Sequence, residues 1–110
     1  MNRNIQTPEM RERNTAVYNA LKKAVNQAGY DFDLLSSNTR VRRVSDLRAV
    51  VFSFLYENSW LSYADIAKLF NKQKSDIPYM IKKGKRLEKD PEYSYMRDII
   101  GACVDEKALF

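Results

Sequence analysis

The sequence predicts an all-α fold: one domain over residues 1–110, with about five to six helices and a central helix-turn-helix. Three observations carry this expectation. Proline and glycine take only six positions while 45% of residues are hydrophobic, which argues against a disordered chain and a turn-rich β fold. Apolar residues recur at three- and four-residue steps along most of the chain. Helix-start signals stand before those stretches at Thr7-Pro8, Ser62 to Asp65 and Asp90-Pro91. A chain of this length supports a single modest core.

The first helix is expected from Thr7-Pro8, a good cap followed by proline at the first helical position. Met10, Val17, Leu21, Ala24 and Ala28 form its apolar stripe, and Gly29 supplies the stop. Tyr30 to Leu35 reads as a short helical turn, and Ser36 to Thr39 as a loop. Arg40-Val41-Arg42-Arg43 is expected as an extended basic arm. A second helix opens at Ser45-Asp46, with Leu47, Val50, Val51, Phe54 and Leu55 facing inward. Ser62 and Asp65 have the spacing of a capping box for a short third helix, and Leu61 and Ile66 that of a hydrophobic staple. Ile66, Leu69 and Phe70 are its expected buried side. Asn71 to Lys74 forms a turn, and a fourth helix starts at Ser75 as cap. Pro78 then falls in the first turn, where a missing N–H costs little. Ile77, Ile81 and Leu87 face inward. Gly84 lies inside this helix, at about 1 kcal/mol against alanine, and fits either close helix packing or fraying. Asp90-Pro91 restarts the chain, and Tyr93, Met96, Ile99 and Ile100 give a last amphipathic helix. Gly101 to Phe110 reads as a loose tail.

Several function classes lose support. One cysteine, Cys103, and no histidine leave no intrachain disulfide and no Cys/His zinc site. Cys103 itself reads as a small buried apolar residue. Without histidine the commonest general base near neutral pH is missing, and no glycine-rich phosphate loop occurs. The expectation is a protein that is not an enzyme and uses no cofactor, metal or nucleotide. Tyr18, Tyr30, Tyr56 and Tyr63 read as aromatics at the core edge. The polar start Met1-Asn2-Arg3-Asn4 shows no signal core, and no stretch approaches a membrane span. A reducing cytoplasm, with no membrane partner, is the expected setting.

Charge has a location. The chain carries +5 overall, but residues 40–89 hold twelve basic and five acidic residues, against seven basic and nine acidic elsewhere. A basic middle between acidic ends points to a polyanion. That middle is also where the helix-turn-helix pattern sits. Such a unit places its second helix in the major groove while the first braces it across the backbone. The front of the second helix must offer hydrogen-bonding side chains to base edges, here Gln73, Lys74, Ser75, Asp76 and Tyr79. Cations near its ends must meet phosphates, here Lys72, Lys82 and Lys83. Arg40, Arg42 and Arg43 on the arm suit a minor groove, where negative potential is strongest in narrow A·T tracts. A helical hairpin in a plain bundle has the same spacing; the position of the charge favours DNA.

Arg42 to Leu87 resembles the C-terminal DNA-binding domain of the bacterial replication initiator DnaA, a fold related to Trp repressor. Val44-Ser45-Asp46-Leu47-Arg48-Ala49-Val50-Val51-Phe52 is similar to that family's V-x-x-x-R-Q-x-A-M helix. Ser62 to Phe70 (SYADIAKLF) is similar to its S-L-x-E-I-G-x-x-F helix. Asn71 to Leu87 stands where the family has G-G-R-D-H-T-T-V and K-I-x-x-L, and Asp33 to Ser37 resembles its E-D-L-x-S-K-S-R lead-in. The likeness spans roughly Tyr30 to Ile100, with residues 37–100 as the DNA-binding core, 1–36 as first helix and lead-in, and 101–110 as tail. It implies a Trp-repressor-like helical domain that binds double-stranded DNA in replication or transcription, of bacterial or phage and mobile-element origin. It also implies that Arg42 is the minor-groove arginine and that Arg48 belongs to the DNA-binding set. With one turn residue deleted, Gln73, Lys74 and Ser75 fall where the family reads bases with Asp, His and Thr. Those exchanges, and Pro78, separate the chain from recognition of the usual origin sequence and from initiator activity. The alternative is a protein-interaction adaptor that keeps the fold without base readout. A protein partner or homodimer stays open at this point.

Overall fold

A computed structural model describes residues 6–108, with side chains for 6–102. Met1 to Asn4, Leu109-Phe110 and the Cys103 side chain lie outside the described residues. The fold is all-α, and no strand occurs among the described residues. Five helices run as α1 (Pro8–Gln27), α2 (Arg42–Asn58), α3 (Tyr63–Leu69), α4 (Ile77–Leu87) and α5 (Ser94–Ala108), with 3₁₀ turns at Phe32–Ser36, Lys74–Asp76 and Pro91–Tyr93.

The expected signals act where they stand. Thr7 Oγ1 caps α1 by accepting from the Met10 N–H, with Pro8 in the first turn. Gly29, at φ 94°, turns the chain out of α1. There the Tyr30 N–H donates to the Val25 carbonyl at 3.2 Å, which satisfies one of the helix's last acceptors. Ser62 Oγ accepts from the Asp65 N–H at 3.1 Å, and Asp65 Oδ2 accepts from the Ser62 N–H at 2.9 Å. The capping box on α3 is therefore closed on both sides. Leu61 and Ile66 are both buried beside it.

α2 is the centre of the molecule. Every residue from Leu47 to Leu55 is buried, so the helix is enclosed on all its faces rather than along one stripe. α4 packs along one side of it, and α1 packs against α5 on the other flank of the core. Gly84 sets the α2–α4 approach. A β-carbon there would lie 1.9 Å from the Ala49 carbonyl oxygen, so the glycine serves close packing and does not mark fraying. Phe70, at the end of α3, joins the elements: its ring centroid lies 4.7 Å from Phe52, 5.7 Å from Phe32 and 6.1 Å from Tyr18. Tyr18, Tyr30, Tyr56 and Tyr63 rest half-buried on this core. Asn14, buried on α1, accepts from the Trp60 N–H at 2.7 Å and so ties the α2–α3 connection to the first helix.

Five boundary or burial expectations need correction. α2 begins at Arg42, not Ser45, and Ser45 N–H already donates to the Val41 carbonyl at 2.9 Å. Arginine favours helix, so the expected extended arm shrinks to the residues before Arg42. Ser75 is not a cap. It lies within the 3₁₀ turn before α4, and Asp76 stands at the N-cap position without a side-chain bond. Pro78 has no N–H to give the Lys74 carbonyl, which instead accepts an i→i+3 bond from the Ile77 N–H. Leu69 is 44% exposed because a groove between α1 and α3 stays open beside it. Ala28, expected on the inner stripe of α1, is exposed at its C-cap. Residues 101–108 continue α5 as helix; Gly101 meets nothing within 4 Å at its β-carbon position and is carried on an exposed face.

Candidate nucleic-acid interface

The turn after α3 begins with Asn71 at φ 54°, a conformation that asparagine tolerates better than most side chains. The Lys72 N–H then donates to the Ala67 carbonyl at 2.8 Å, closing the end of α3. The chain is turned sharply, and α4 leaves with its inner face defined by Ile77, Ile81 and Gly84 against α2. The opposite face carries Tyr79, Lys82 and Arg86, at helical steps of three and four residues. All three are exposed, Tyr79 to 71%. Gln73, Lys74, Ser75 and Asp76 are exposed at the leading end. Six of the expected contact residues are therefore exposed: Gln73, Lys74, Ser75 and Asp76 on the turn into α4, and Tyr79 and Lys82 on its outer face.

The other six divide. Arg48 is buried, at 6% exposure, and does not face solvent. Its guanidinium donates to three carbonyls, Leu35 at 2.9 Å, Ser37 at 3.0 Å and Thr39 at 3.3 Å. Burial lowers its pKa. Its work is to hold the loop after the first 3₁₀ turn, which corrects its assignment to DNA contact. Lys72 is also drawn inward: its Nζ donates to the Ser37 carbonyl, and burial, followed by the nearby Arg48 charge, lowers its pKa. Lys72 is thereby a tether between this loop and the helix-turn-helix turn. Arg43 turns toward Tyr30, whose hydroxyl accepts from Arg43 Nη2 at 3.1 Å and donates to Glu92 at 3.2 Å. Arg40 stays exposed on the tethered loop.

Arg42 and Lys83 meet at another place. They line, with Asp46, Arg86 and Leu87, a cleft between the first turn of α2 and the second half of α4. Lys83 Nζ lies 3.0 Å from Asp46 Oδ1 and 3.3 Å from Ser45 Oγ. Arg42 stands 3.7 Å from the same carboxylate, with its side chain 93% exposed. Sequence reasoning missed Arg86 as a contact candidate. The signal was present in its spacing, seven residues after Tyr79 and four after Lys82.

Behind α4, Ser53 Oγ donates to Glu88 and lies 3.4 Å from Glu57. Burial is the main cause that raises the Glu88 carboxyl pKa; the Ser53 bond opposes it and the Glu57 charge adds to it. Among the described residues no group of three or more acidic, Cys or His side chains is arranged for a metal, and no helix is long and apolar enough to cross a membrane.

No family model, curated protein or solved structure matches the chain.

Proposed function

We propose that this chain binds double-stranded DNA through its helix-turn-helix, with the front of α4 in the major groove, and serves replication or transcription by occupying its site. One observation carries the reading. The polar, cationic surface from Gln73 to Arg86 is open to solvent while the back of the same helix is locked to α2. A rigid helix with a wet, basic front is what major-groove docking requires. The tethered loop supports it further, because Lys72 and Arg48 hold residues 37–39 beside the turn, and Arg40 and Arg42 follow directly.

Arg40, Arg42, Lys74, Lys82 and Arg86 are exposed cations on this side that can neutralise phosphates. Full engagement of about three to five of them gives a log–log salt slope of roughly −3 to −5 on duplex DNA. Fluorescence anisotropy across a salt series measures it; a flat slope contradicts the reading. Arg40, exposed on the loop before α2, is the arginine placed for a minor groove: Arg40→Ala is expected to weaken A·T-rich duplexes more than G·C-rich ones, and equal loss on both removes the minor-groove role.

A second reading, an adaptor for a protein partner, is favoured by the groove lined by Asn14, Thr15, Tyr18, Leu61 and Leu69, where Leu69 is exposed. It requires duplex binding to be absent.

A further inference from the structure

We propose that the cleft between the first turn of α2 and the second half of α4 is a subsite for one phosphate group, with Asp46 as the internal counterion that the phosphate displaces. The source of that phosphate, a duplex backbone, rests on the DNA-binding reading; the chemistry of the cleft does not.

The cleft measures about 300 Å³ and is lined by Arg42, Asp46, Lys83, Arg86 and Leu87. Three cations face one carboxylate, so it holds a net charge of +2. The neutralisation is uneven. Lys83 is paired closely with Asp46, Arg42 only at 3.7 Å, and Arg86 makes no ion pair among the described residues. Two guanidinium groups are thus available, and their planar forks match the oxygens of a phosphate. The start of α2 adds to the field. Its N-cap residue, Val41, makes no side-chain bond and its first turn carries no acid, which leaves the positive end of the helix uncompensated there.

An entering phosphate meets Arg42 and Arg86 first and then competes with Asp46 for Lys83. The carboxylate opposes it throughout, so the native cleft is held below its full affinity. Because Arg86 shares the exposed stripe with Tyr79 and Lys82, a duplex lying on that stripe carries a strand past the cleft. Asp46 then sets how strongly the backbone is gripped, without touching a base.

The test uses the full chain as native protein, Asp46→Asn and Arg86→Gln, each first checked for unchanged thermal unfolding. Two probes are titrated: a mixed-sequence duplex, followed by anisotropy over a salt series, and inorganic phosphate, followed by amide chemical shifts. Asp46→Asn is expected to tighten duplex binding about two- to fivefold, the effect of one partly exposed charge. Arg86→Gln is expected to weaken it by a similar factor and to reduce the salt slope by about 0.9. Native protein that binds duplex, with Asp46→Asn equal or weaker, overturns the subsite and leaves DNA binding intact. If Asp46→Asn does not fold, Arg86→Gln decides: an unchanged slope overturns the subsite. Phosphate shifts at Arg42, Lys83 and Arg86 that grow in Asp46→Asn, without duplex binding, uphold the subsite and remove the duplex as its source. No anisotropy change with duplex, together with no phosphate shift at those amides, overturns both.

Discussion

Arg48 shows how a cation near a basic surface can serve the fold alone. Its guanidinium is buried and satisfies the carbonyls of Leu35, Ser37 and Thr39. Removing it leaves those acceptors without their donor, at about 1–3 kcal/mol. Arg48→Ala is therefore expected to lower stability by about that amount in urea unfolding. Arg48→Lys is expected not to restore it, because an ammonium lacks the planar fork that spans three acceptors. From sequence, Arg48, expected within the second helix, and Arg42, expected on the arm, were both assigned to DNA contact. Only the burial of successive α2 residues on every face separates them. Glu88 gives a second test at this scale. Its folded pKa is raised above the ordinary carboxylate range, chiefly by burial. The native state thus holds this proton to higher pH than the unfolded chain, and stability falls as pH climbs from the unfolded toward the folded pKa. Glu88→Gln is expected to flatten that fall in thermal unfolding measured from the ordinary carboxylate range upward. An unaltered pH profile contradicts the assignment.

Among the elements, the α2–α4 contact is the one that positions α4. Gly84 is expected from helix propensity to be about 1 kcal/mol worse than alanine. The structure reverses that sign, since a β-carbon would overlap the Ala49 carbonyl and stand 2.9 Å from the Ser53 side chain. Gly84→Ala is expected to destabilise by about 1–3 kcal/mol, as overpacking does. A gain in melting temperature refutes the close crossing. Legibility differed by element for physical reasons. The starts of α1 and α3 were readable because their caps act within four residues. The start of α2 was not, because Val41 caps it with no side-chain bond and only the backbone marks the boundary. Tyr79 and Lys82 were readable as a surface, since helical spacing puts them opposite Ile77 and Ile81, and Gln73 to Asp76 were readable as a polar turn leading into it. Lys72 and Lys83 were not readable as tethered, because their partners, Ser37 and Asp46, lie 35 and 37 residues away in the chain.

At the scale of the molecule, the charge asymmetry of the sequence becomes a geometric one. The basic middle of the chain supplies α2, the turn and α4. Some of its cations are spent inside, as Arg48 and Lys72 are, while Lys74, Lys82 and Arg86 stay on the exposed side of α4 and the turn before it. Ile66, Phe70 and Ile77 fasten the elbow to the common core. Under the proposed function this side, and not the α1–α5 flank, meets duplex DNA. Amide chemical-shift mapping of the labelled full chain with a selected duplex tests it most directly. Perturbations are expected to cluster at residues 38–43 and 72–86 and to saturate with added DNA. Shifts confined to α1 and α5 or to the groove at Tyr18, Leu61 and Leu69, or no saturable shift at all, contradict the account.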